Sequence, residues 1–366
     1  MAGSFRMLST NLLHSSGSTL TASSSAATLP VSFLLDQLKS KPWRSGTGWD
    51  IVEGVNDRID FTEGATPFVA TIAPGNYSTG TLMSAAIKTA MEAAGAFTYT
   101  VTYSGATKKF TIAGSSSYTI EWQTGADQLR SVGPDLGFTV ADDTGGGPYT
   151  SDGGVYQSRH WVTLSLASEQ LARHAALINH NFSGTSTVQI EASEDPSFGL
   201  IETIIDTSVE SGDMLIFNES AGDELLFTDQ YWRLVITDRI NPDGFAEVGC
   251  WILGEPVTTS VRPSINYSKS RDELSAITQA IDGANHSDQR PSRHMHGLEW
   301  LSIEDADLAI LEGVQEENPP GTNFLLLFNS EDPADVVYGF WAKGLDINLS
   351  AAVYWNVSGT FIEALG

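Results

Sequence analysis

The segment Tyr231-Trp232-Arg233-Leu234-Val235-Ile236-Thr237 runs into the turn Asn241-Pro242-Asp243-Gly244 and then into Val248-Gly249-Cys250-Trp251-Ile252-Leu253. Aromatic and β-branched residues crowd both runs and suit the pleated, half-buried surface of a sheet. Pro presets one turn position and Gly frees the next, so Asn-Pro-Asp-Gly ends one strand and starts another. The two runs therefore read as a strand pair. The same signature extends upstream, in Trp161-Val162-Thr163-Leu164-Ser165-Leu166, Ala175-Ala176-Leu177-Ile178-Asn179-His180 and Thr187-Val188-Gln189-Ile190-Glu191-Ala192. No helical spacing interrupts 161–253, so an all-β sandwich is expected there.

Further upstream the periodicity changes. Met83, Ile87, Ala90, Met91 and Ala94 recur at helical spacing. Ser78 or Thr79 can cap the start of this helix, and Gly95 is expected as the left-handed residue that ends it. Phe97-Thr98-Tyr99-Thr100-Val101-Thr102-Tyr103 then alternates without a break, and Lys109-Phe110-Thr111-Ile112 and Tyr118-Thr119-Ile120-Glu121-Trp122 follow. The block 50–150 thus reads as one helix packed on an antiparallel meander, closed by the turn-rich 142–148. Beyond 260 comes a polar stretch, 264–293, expected as an exposed loop or an arm that orders on a neighbour. Ser302 is then expected to cap a short helix with Glu304, Asp305 and Asp307 in its first turn and Leu308, Leu311 and Val314 on its buried side. Strands are expected at 324–328, 336–343 and 353–362.

Composition narrows the function classes. With 41% hydrophobic and 17% charged residues the chain is globular, and its 34 glycines suit many short strands joined by turns. A length of 366 residues suits two or three domains. The formal net charge of −26 repels phosphate backbones and anionic membranes, which argues against direct nucleic-acid binding and membrane insertion. Solubility alone accounts for such acidity; a non-adhesive wall facing DNA in transit is the more specific reading. Residues 1–30 are Ser/Thr-rich and lack the apolar core of a secretory signal, so the chain is expected to be made and used without crossing a membrane by its own means. Cys250, the single cysteine, reads as a core residue.

Several segments resemble a known fold. Ala22-Ser23-Ser24, Pro30, Leu34-Leu35-Asp36 and Trp43-Arg44-Ser45 resemble the opening of galactose-binding-like, discoidin-type jelly-roll domains. His180-Asn181-Phe182-Ser183, and Arg233-Leu234-Val235-Ile236-Thr237-Asp238 with the Asn-Pro-Asp-Gly turn, look like versions of that fold in phage tail proteins. Gly75-Asn76-Tyr77-Ser78, Leu82, Trp122-Gln123-Thr124-Gly125 and Leu136-Gly137-Phe138 resemble a small module of virion proteins. The pattern departs from the family at Gln37, where Gly is usual, and in lacking paired cysteines. The resemblance implies a mainly β chain with a split galactose-binding-like β-sandwich (1–49 and 151–259), an inserted α+β module (50–150) and a β-rich C-terminal domain with one short helix (260–366). It further implies a non-enzymatic structural protein of the tail of a tailed bacteriophage, a distal-tail or baseplate ring or adaptor. Such a protein would assemble in the host cytoplasm as a homo-oligomeric ring on tail tube, hub or baseplate proteins. A carbohydrate-binding host-recognition module, with a host surface glycan as partner, and a capsid decoration or spike protein are the alternatives.

Candidate chemistry is sparse. No Gly-x-Ser-x-Gly elbow, dinucleotide fingerprint or Walker loop occurs, so no catalytic residue and no cofactor is expected. Asp238, Asn241 and Asp243 offer oxygens that suit calcium, against the plainer reading of an Asx turn. His294 and His296, with His286 or Asp288, have the donors but not a diagnostic spacing for a metal. Glu191 with Glu194 and Asp195 is a carboxylate group that a chain this acidic produces by chance. His180, Asn181 and Ser183 invite a nucleophile reading, against one in which they satisfy a turn. Trp43, Trp49, Tyr156 and Trp161 flank the junctions of the inserted block, where aromatic side chains either hold an interface or stack on a glycan.

Overall fold

The computed structural model describes residues 5–198, 203–205, 208–211, 213–217, 227–264, 268–273, 276–279, 285–288, 292–329, 335–351 and 353–365. The fold is mainly β, and every strand ladder among these residues is antiparallel. Two five-stranded sheets make the sandwich. The outer sheet orders Thr203–Ile205, Thr187–Ser193, Phe227–Thr237, His160–Ala172 and Thr19–Ala22. The central sheet orders Ser208–Ser211, Met214–Phe217, His174–His180, Glu247–Gly254 and Trp43–Arg44.

The strands flanking Asn-Pro-Asp-Gly are not paired with each other, contrary to the hairpin expected from sequence. Phe227–Thr237 pairs with His160–Ala172 and Thr187–Ser193, whereas Glu247–Gly254 pairs with His174–His180 and Trp43–Arg44. The connection 238–246 crosses from one sheet to the other. A hairpin would set Trp232 beside Trp251 in one sheet; the crossing lets them meet across the core with Leu164, Leu177, Ile190, Leu234 and Leu253.

Alternation explains what lies on each side of the central sheet. Ala175, Leu177, Phe217, Trp251 and Leu253 face the outer sheet. Ala176, Ile178, Ile216, Cys250 and Ile252 face away from it, and they are equally buried. They pack on Leu8, Leu325, Leu327, Val336 and Tyr338 of a third, seven-stranded sheet. That sheet orders Arg6–Leu8, Phe324–Leu327, Val336–Trp341, Tyr354–Glu363, Ser292–Ile303 and Ser268–Glu273, with Asp346–Ala351 also pairing with Tyr354–Glu363. Helix α2 (Asp305–Glu317) covers its far side through Leu308, Leu311 and Val314, against Phe324, Trp341 and Phe361. The stack is thus sheet, sheet, sheet, helix.

Three expectations are corrected here. The chain's first strand, Arg6–Leu8, belongs to the C-terminal sheet, where it pairs with Phe324–Leu327; a three-residue strand carries too little pattern to show its partner. The polar stretch after 264 is strand rather than loop: Ser268–Glu273 pairs with Ser292–Ile303, and Ala276–Gln279 with Asn285–Asp288. Ser302 lies within the strand Ser292–Ile303, at φ 56°, instead of capping α2; Glu304 occupies the cap position without a side-chain bond. Asp307 instead accepts from Ser260 N, Ser260 Oγ and Val261 N at 2.6–3.3 Å, tying down the entry to the C-terminal block.

The inserted module has its own core, with Ile59, Phe61, Met83, Ile87, Tyr99, Phe110 and Trp122 in its centre. Helix α1 (Gly80–Ala94) is capped as expected, by Thr79 Oγ1 accepting from Leu82 N at 3.2 Å. Gly95 is extended at φ −98°, not left-handed. It is glycine because a Cβ there would sit 2.3 Å from Glu63 Oε1. The Glu63 carboxylate accepts from Ala96 N, Phe97 N and Tyr99 Oη, and so terminates the helix from outside. The meander is also revised. Tyr99–Tyr103 and Phe110–Gly114 pair as expected, but Tyr118–Ile120 pairs with Arg58–Glu63, which continues into Thr66–Thr71. Buried Asp60 and Glu63 hide the strand pattern of that hairpin in the sequence.

Two predictions follow from the stack. Leu8 lies between the central and third sheets, so Leu8→Ala should cost about 2–5 kcal/mol. It should lower one cooperative urea transition seen alike by far-ultraviolet and tryptophan signals; two separated transitions would contradict the shared core. His174, beside it, accepts from Arg6 at 2.8 Å through Nε2 and is buried. Burial, then the Arg6 and Arg173 charges, lower its pKa to about 3 from 6.5. The folded state therefore holds a neutral ring that the unfolded chain protonates. This stability is complete above about pH 6.5 and is lost as pH falls toward 3. His174→Gln keeps an acceptor for Arg6 but cannot titrate, and its stability should vary less with pH in that window.

Candidate functional site

The inserted module meets the sandwich through polar groups rather than through a shared apolar core. Trp49–Ile51 leaves the sandwich, and Trp49 Nε1 donates to Asp135 O at 2.9 Å. Asp50, 1% exposed, accepts from His160 Nδ1 at 2.8 Å, from Asn76 Nδ2 at 2.6 Å, and from Ser23 and Ser24. His160 Nε2 faces Gln157 Oε1 at 3.1 Å, and Gln157 Nε2 donates to Asp238 O at 2.7 Å. The amide is thereby oriented with its oxygen toward the ring. Both ring nitrogens thus face a hydrogen-bond partner, Asp50 on one side and Gln157 on the other. Burial opposes the Asp50 charge. The hydrogen bond from and charge on His160, with bonds from Ser24 and Asn76, outweigh burial and hold the carboxyl below its ordinary value.

A second buried carboxylate completes the junction. Asp135 Oδ1 accepts from Arg239 Nε at 3.0 Å and NH2 at 2.9 Å, and Oδ2 from Asn56 Nδ2 at 2.9 Å. The Asp-His pair superficially suggests a charge-relay dyad, but Gln157 occupies the position where a nucleophile would stand. Its role is to hold two modules in register.

Beside this junction a cleft of ≈ 770 Å³ opens between the outer sheet and the inserted module. Its floor is the outward face of the outer sheet: Trp161, Thr163, Glu191, Arg233 and Val235. Residues 52–55, Leu129 and Arg130 of the insert form one wall, and residues 196–198 the other. Arg233 pairs with Glu191 at 2.5 Å and lies over the Phe198 ring at 4.2 Å. Arg159, also lining the cleft, stands apart. Its Nε is 4.0 Å from Asp135 Oδ2, and its one side-chain hydrogen bond among the described residues is NH2 to Val55 O at 3.4 Å. A second groove, beside α1, is lined by Thr71, Tyr77, Leu82, Ala86 and Ala90 and contains no charged side chain.

The structure distributes the residues singled out from the sequence as follows. Trp43 and Trp49 are buried core residues, Trp43 with Nε1 on Ser25 Oγ at 3.0 Å. Tyr156 is half-buried under Lys108, whose Nζ lies 4.9 Å from the ring centroid. Of these four aromatic residues Trp161 lines the cleft. Asp238 accepts from Ser183 N, Ser183 Oγ and Asn241 Nδ2, while Asn241 Oδ1 accepts from Asp243 N at 3.0 Å. Asn181 Nδ2 donates to Asp243 Oδ2 at 3.1 Å. This mesh directs an amide N–H, not an oxygen, from Asn241 toward Asp238, a geometry of a braced turn rather than of a calcium cage. His180 stacks on Phe182 at 4.5 Å.

Glu191 pairs with Arg233, and Asp195 accepts from Ser197 N and Oγ. His294 Nδ1 lies 2.8 Å from Glu363 Oε2, and His296 is buried against Phe328. The side chains of His286 and Asp288 lie outside the described residues. Among the described residues no group of three or more His, Cys, Asp or Glu side chains could hold a metal. Cys250 is buried, and burial pushes its thiol up to about 11. No helix among the described residues is long and apolar enough to cross a membrane. Comparison with protein-family models and with curated proteins finds no match.

Sequence reading missed Asp50, Asp135, His160 and Arg159. An isolated Asp or His carries no periodic signal; only the fold brings residues 50, 135 and 160 together. The Asp50–His160 pair gives a direct test. Asp50→Asn should remove the buried carboxylate that gathers His160, Asn76 and Ser24 and cost about 1–3 kcal/mol in urea unfolding. Because the Asp50 pKa is lowered by folding, its contribution is present above about pH 4 and lost as pH falls through the lower folded value. The variant should lack that acid limb; an unchanged acid profile would contradict the pairing.

Proposed function

We propose that this chain is a structural component of a tailed-bacteriophage tail, which assembles with further copies of itself into a ring or adaptor. The observation that carries the reading is the end of the C-terminal sheet. Asp346–Ala351 pairs along one edge with Tyr354–Glu363, and among the described residues its other edge has no partner. Leu301, Leu349, Val353 and Tyr354 are exposed there, at 45%, 59%, 60% and 39%. Natural edge strands are often blunted by lysine or proline, and neither occurs within 346–351; its protection is limited to Asp346 at its start and a register irregularity between Leu349 and Ala351. An open strand edge that exposes Leu349, beside exposed Val353 and Tyr354, is best explained by a partner that adds a strand to it.

The sheet stack supports the same reading. A rigid body with a shared core transmits load between its ends, and cyclic assembly needs a subunit that presents the same two surfaces each time. The resemblance at His180-Asn181-Phe182-Ser183, at Arg233-Leu234-Val235-Ile236-Thr237-Asp238 with the Asn-Pro-Asp-Gly turn, and at Gly75-Asn76-Tyr77-Ser78 in the insert supplies the virion context.

Light scattering on the purified chain should give one oligomer of defined copy number. Leu349→Lys with Tyr354→Lys should convert it to monomer without lowering its melting temperature, because exposed substitutions change stability by about 0.5 kcal/mol or less. Antibody labelling of intact particles should decorate the tail. A wild-type chain that is monomeric at every concentration, or label confined to the capsid, would overturn the proposal.

A further inference from the structure

We infer that the strand added to the open edge Asp346–Ala351 comes from a second copy of this chain, donated by the β-arm 271–293. The donor assignment rests on the ring reading and names the surface that joins its copies.

The arm is visible in the strand register. Ser268–Glu273 pairs with Ser292–Ile303, from Ser268 opposite Gly297 to Glu273 opposite Ser292. Ala276–Gln279 and Asn285–Asp288 carry the antiparallel pairing onward, from Ala276 opposite Asp288 to Gln279 opposite Asn285. Tyr354–Glu363 supports this pair of strands only as far as Met295, which lies opposite Ile362. The root is fastened there by His294 Nδ1, 2.8 Å from Glu363 Oε2, and by the Arg293 guanidinium, 5.9 Å from the Phe340 ring centroid. Beyond it, Ala276–Gln279 and Asn285–Asp288 form a two-stranded sheet of their own among the described residues. The eight steps from Arg271 to Gln279 span up to about 26 Å. A two-stranded ladder is marginal in water and leaves an unpaired row of N–H and C=O groups on each edge, so a third strand stabilises it.

The third sheet sets donor and acceptor at opposite corners. Trp355, Val357 and Ser358 each have one neighbour in Ser292–Ile303 and another in Asp346–Ala351, so those two strands flank Tyr354–Glu363 on opposite sides. The arm leaves the sheet beside Glu363, whereas the open edge runs beside residues 354–358. Glu363 and Trp355 are eight steps apart along the strand, about 26 Å. An arm that leaves by one corner does not reach the opposite corner of its own sheet, but it reaches that corner of a second copy. Such a contact joins unlike surfaces, and its repetition closes a ring or extends a filament.

Charge favours the same occupant. Segment 268–294 has four Lys and Arg against four Asp and Glu, so the whole net charge of −26 lies in the remainder. Around the open edge Glu299, Glu304, Asp305 and Asp346 are exposed. Residues 299–305 and 343–358 contain one cation, Lys343, which pairs with Asp346 at 2.7 Å. A neutral strand pair that carries Lys269, Arg271 and Arg290 meets this acidic surround without like-charge repulsion.

Two variants test the contact. Replacing 274–291 by an Asn-Gly turn closes the ladder at Glu273 and Ser292 and removes the arm. The removed residues belong to none of the apolar clusters of the described residues, so the melting temperature should stay and the chain should become monomeric. Ile277→Pro with Thr278→Pro, which strips N–H donors from the arm, should give the same monomer and serves if the deletion does not fold. Leu349→Lys with Tyr354→Lys keeps the arm and spoils the edge. Mixed, the arm-deleted and edge-spoiled monomers should form a species of twice the monomer mass and nothing larger, since one arm and one edge remain between them. An arm-deleted chain that keeps the wild-type copy number, or two monomers that stay apart on mixing, would overturn the donor assignment and leave the ring reading standing. A wild-type chain that is monomeric at every concentration would overturn both.

Discussion

The central sheet is apolar on both faces, and that single constraint arranges the rest of the molecule. A sheet with one apolar face needs one cover; this one needs two. Leu177, Trp251 and Leu253 demand the outer sheet, and Ile178, Cys250 and Ile252 demand the third sheet. The third sheet in turn has Phe324, Leu326 and Trp341 on its far side and must recruit α2. Each layer's burial is therefore conditional on the next. Closure comes from Arg6–Leu8, which adds itself to the C-terminal sheet and brings Leu8 into the same apolar layer as Ile252 and Leu325. The first described strand and the last quarter of the chain are thus parts of one core.

The inserted module obeys a different rule. Its hydrophobic core is complete by itself, so its attachment to the sandwich is made of buried charges: Asp50 with His160, and Asp135 with Arg239. Apolar contact tolerates small slides, whereas a buried ion pair does not, because a displaced charge loses its partner in a medium that solvates it poorly. Polar attachment therefore fixes the angle of the module relative to the sheet face. The cleft is the space this fixed angle leaves, and its shape is set by the same residues that hold the junction.

How far the sequence was legible depends on which force controlled each element. The strands 231–237 and 248–253, helix α1 with its Thr79 cap, and Leu308, Leu311 and Val314 of α2 were all readable, because burial writes a period into the chain. Pairing was less readable. The Asn-Pro-Asp-Gly turn predicts a reversal, and the reversal occurs, but it carries the chain across the core instead of along a sheet edge. Arg58–Glu63 escaped notice because Asp60 and Glu63 sit at buried positions, held by Asp127 N and by the backbone after α1. The polar strands after 264 escaped for the converse reason, since hydroxyl and charged residues wrote no apolar period there. The cleft was unreadable: Trp161 was noticed as an aromatic residue, but Arg130, Arg159 and Glu53 come from three separate segments.

The distribution of charge binds these observations together. A surface this acidic repels anions at long range, so any cationic concavity on it must be maintained against neutralisation by the chain's own carboxylates. At the junction that protection is visible. Asp135, the nearest buried carboxylate, is engaged in full by Arg239 and Asn56, and Glu191 by Arg233. Arg239 thereby acts on Arg159 indirectly, by satisfying the carboxylate that would otherwise draw its guanidinium inward. The polar network that sets the angle of the inserted module is also what holds Arg159 at the cleft wall, 4.0 Å from Asp135.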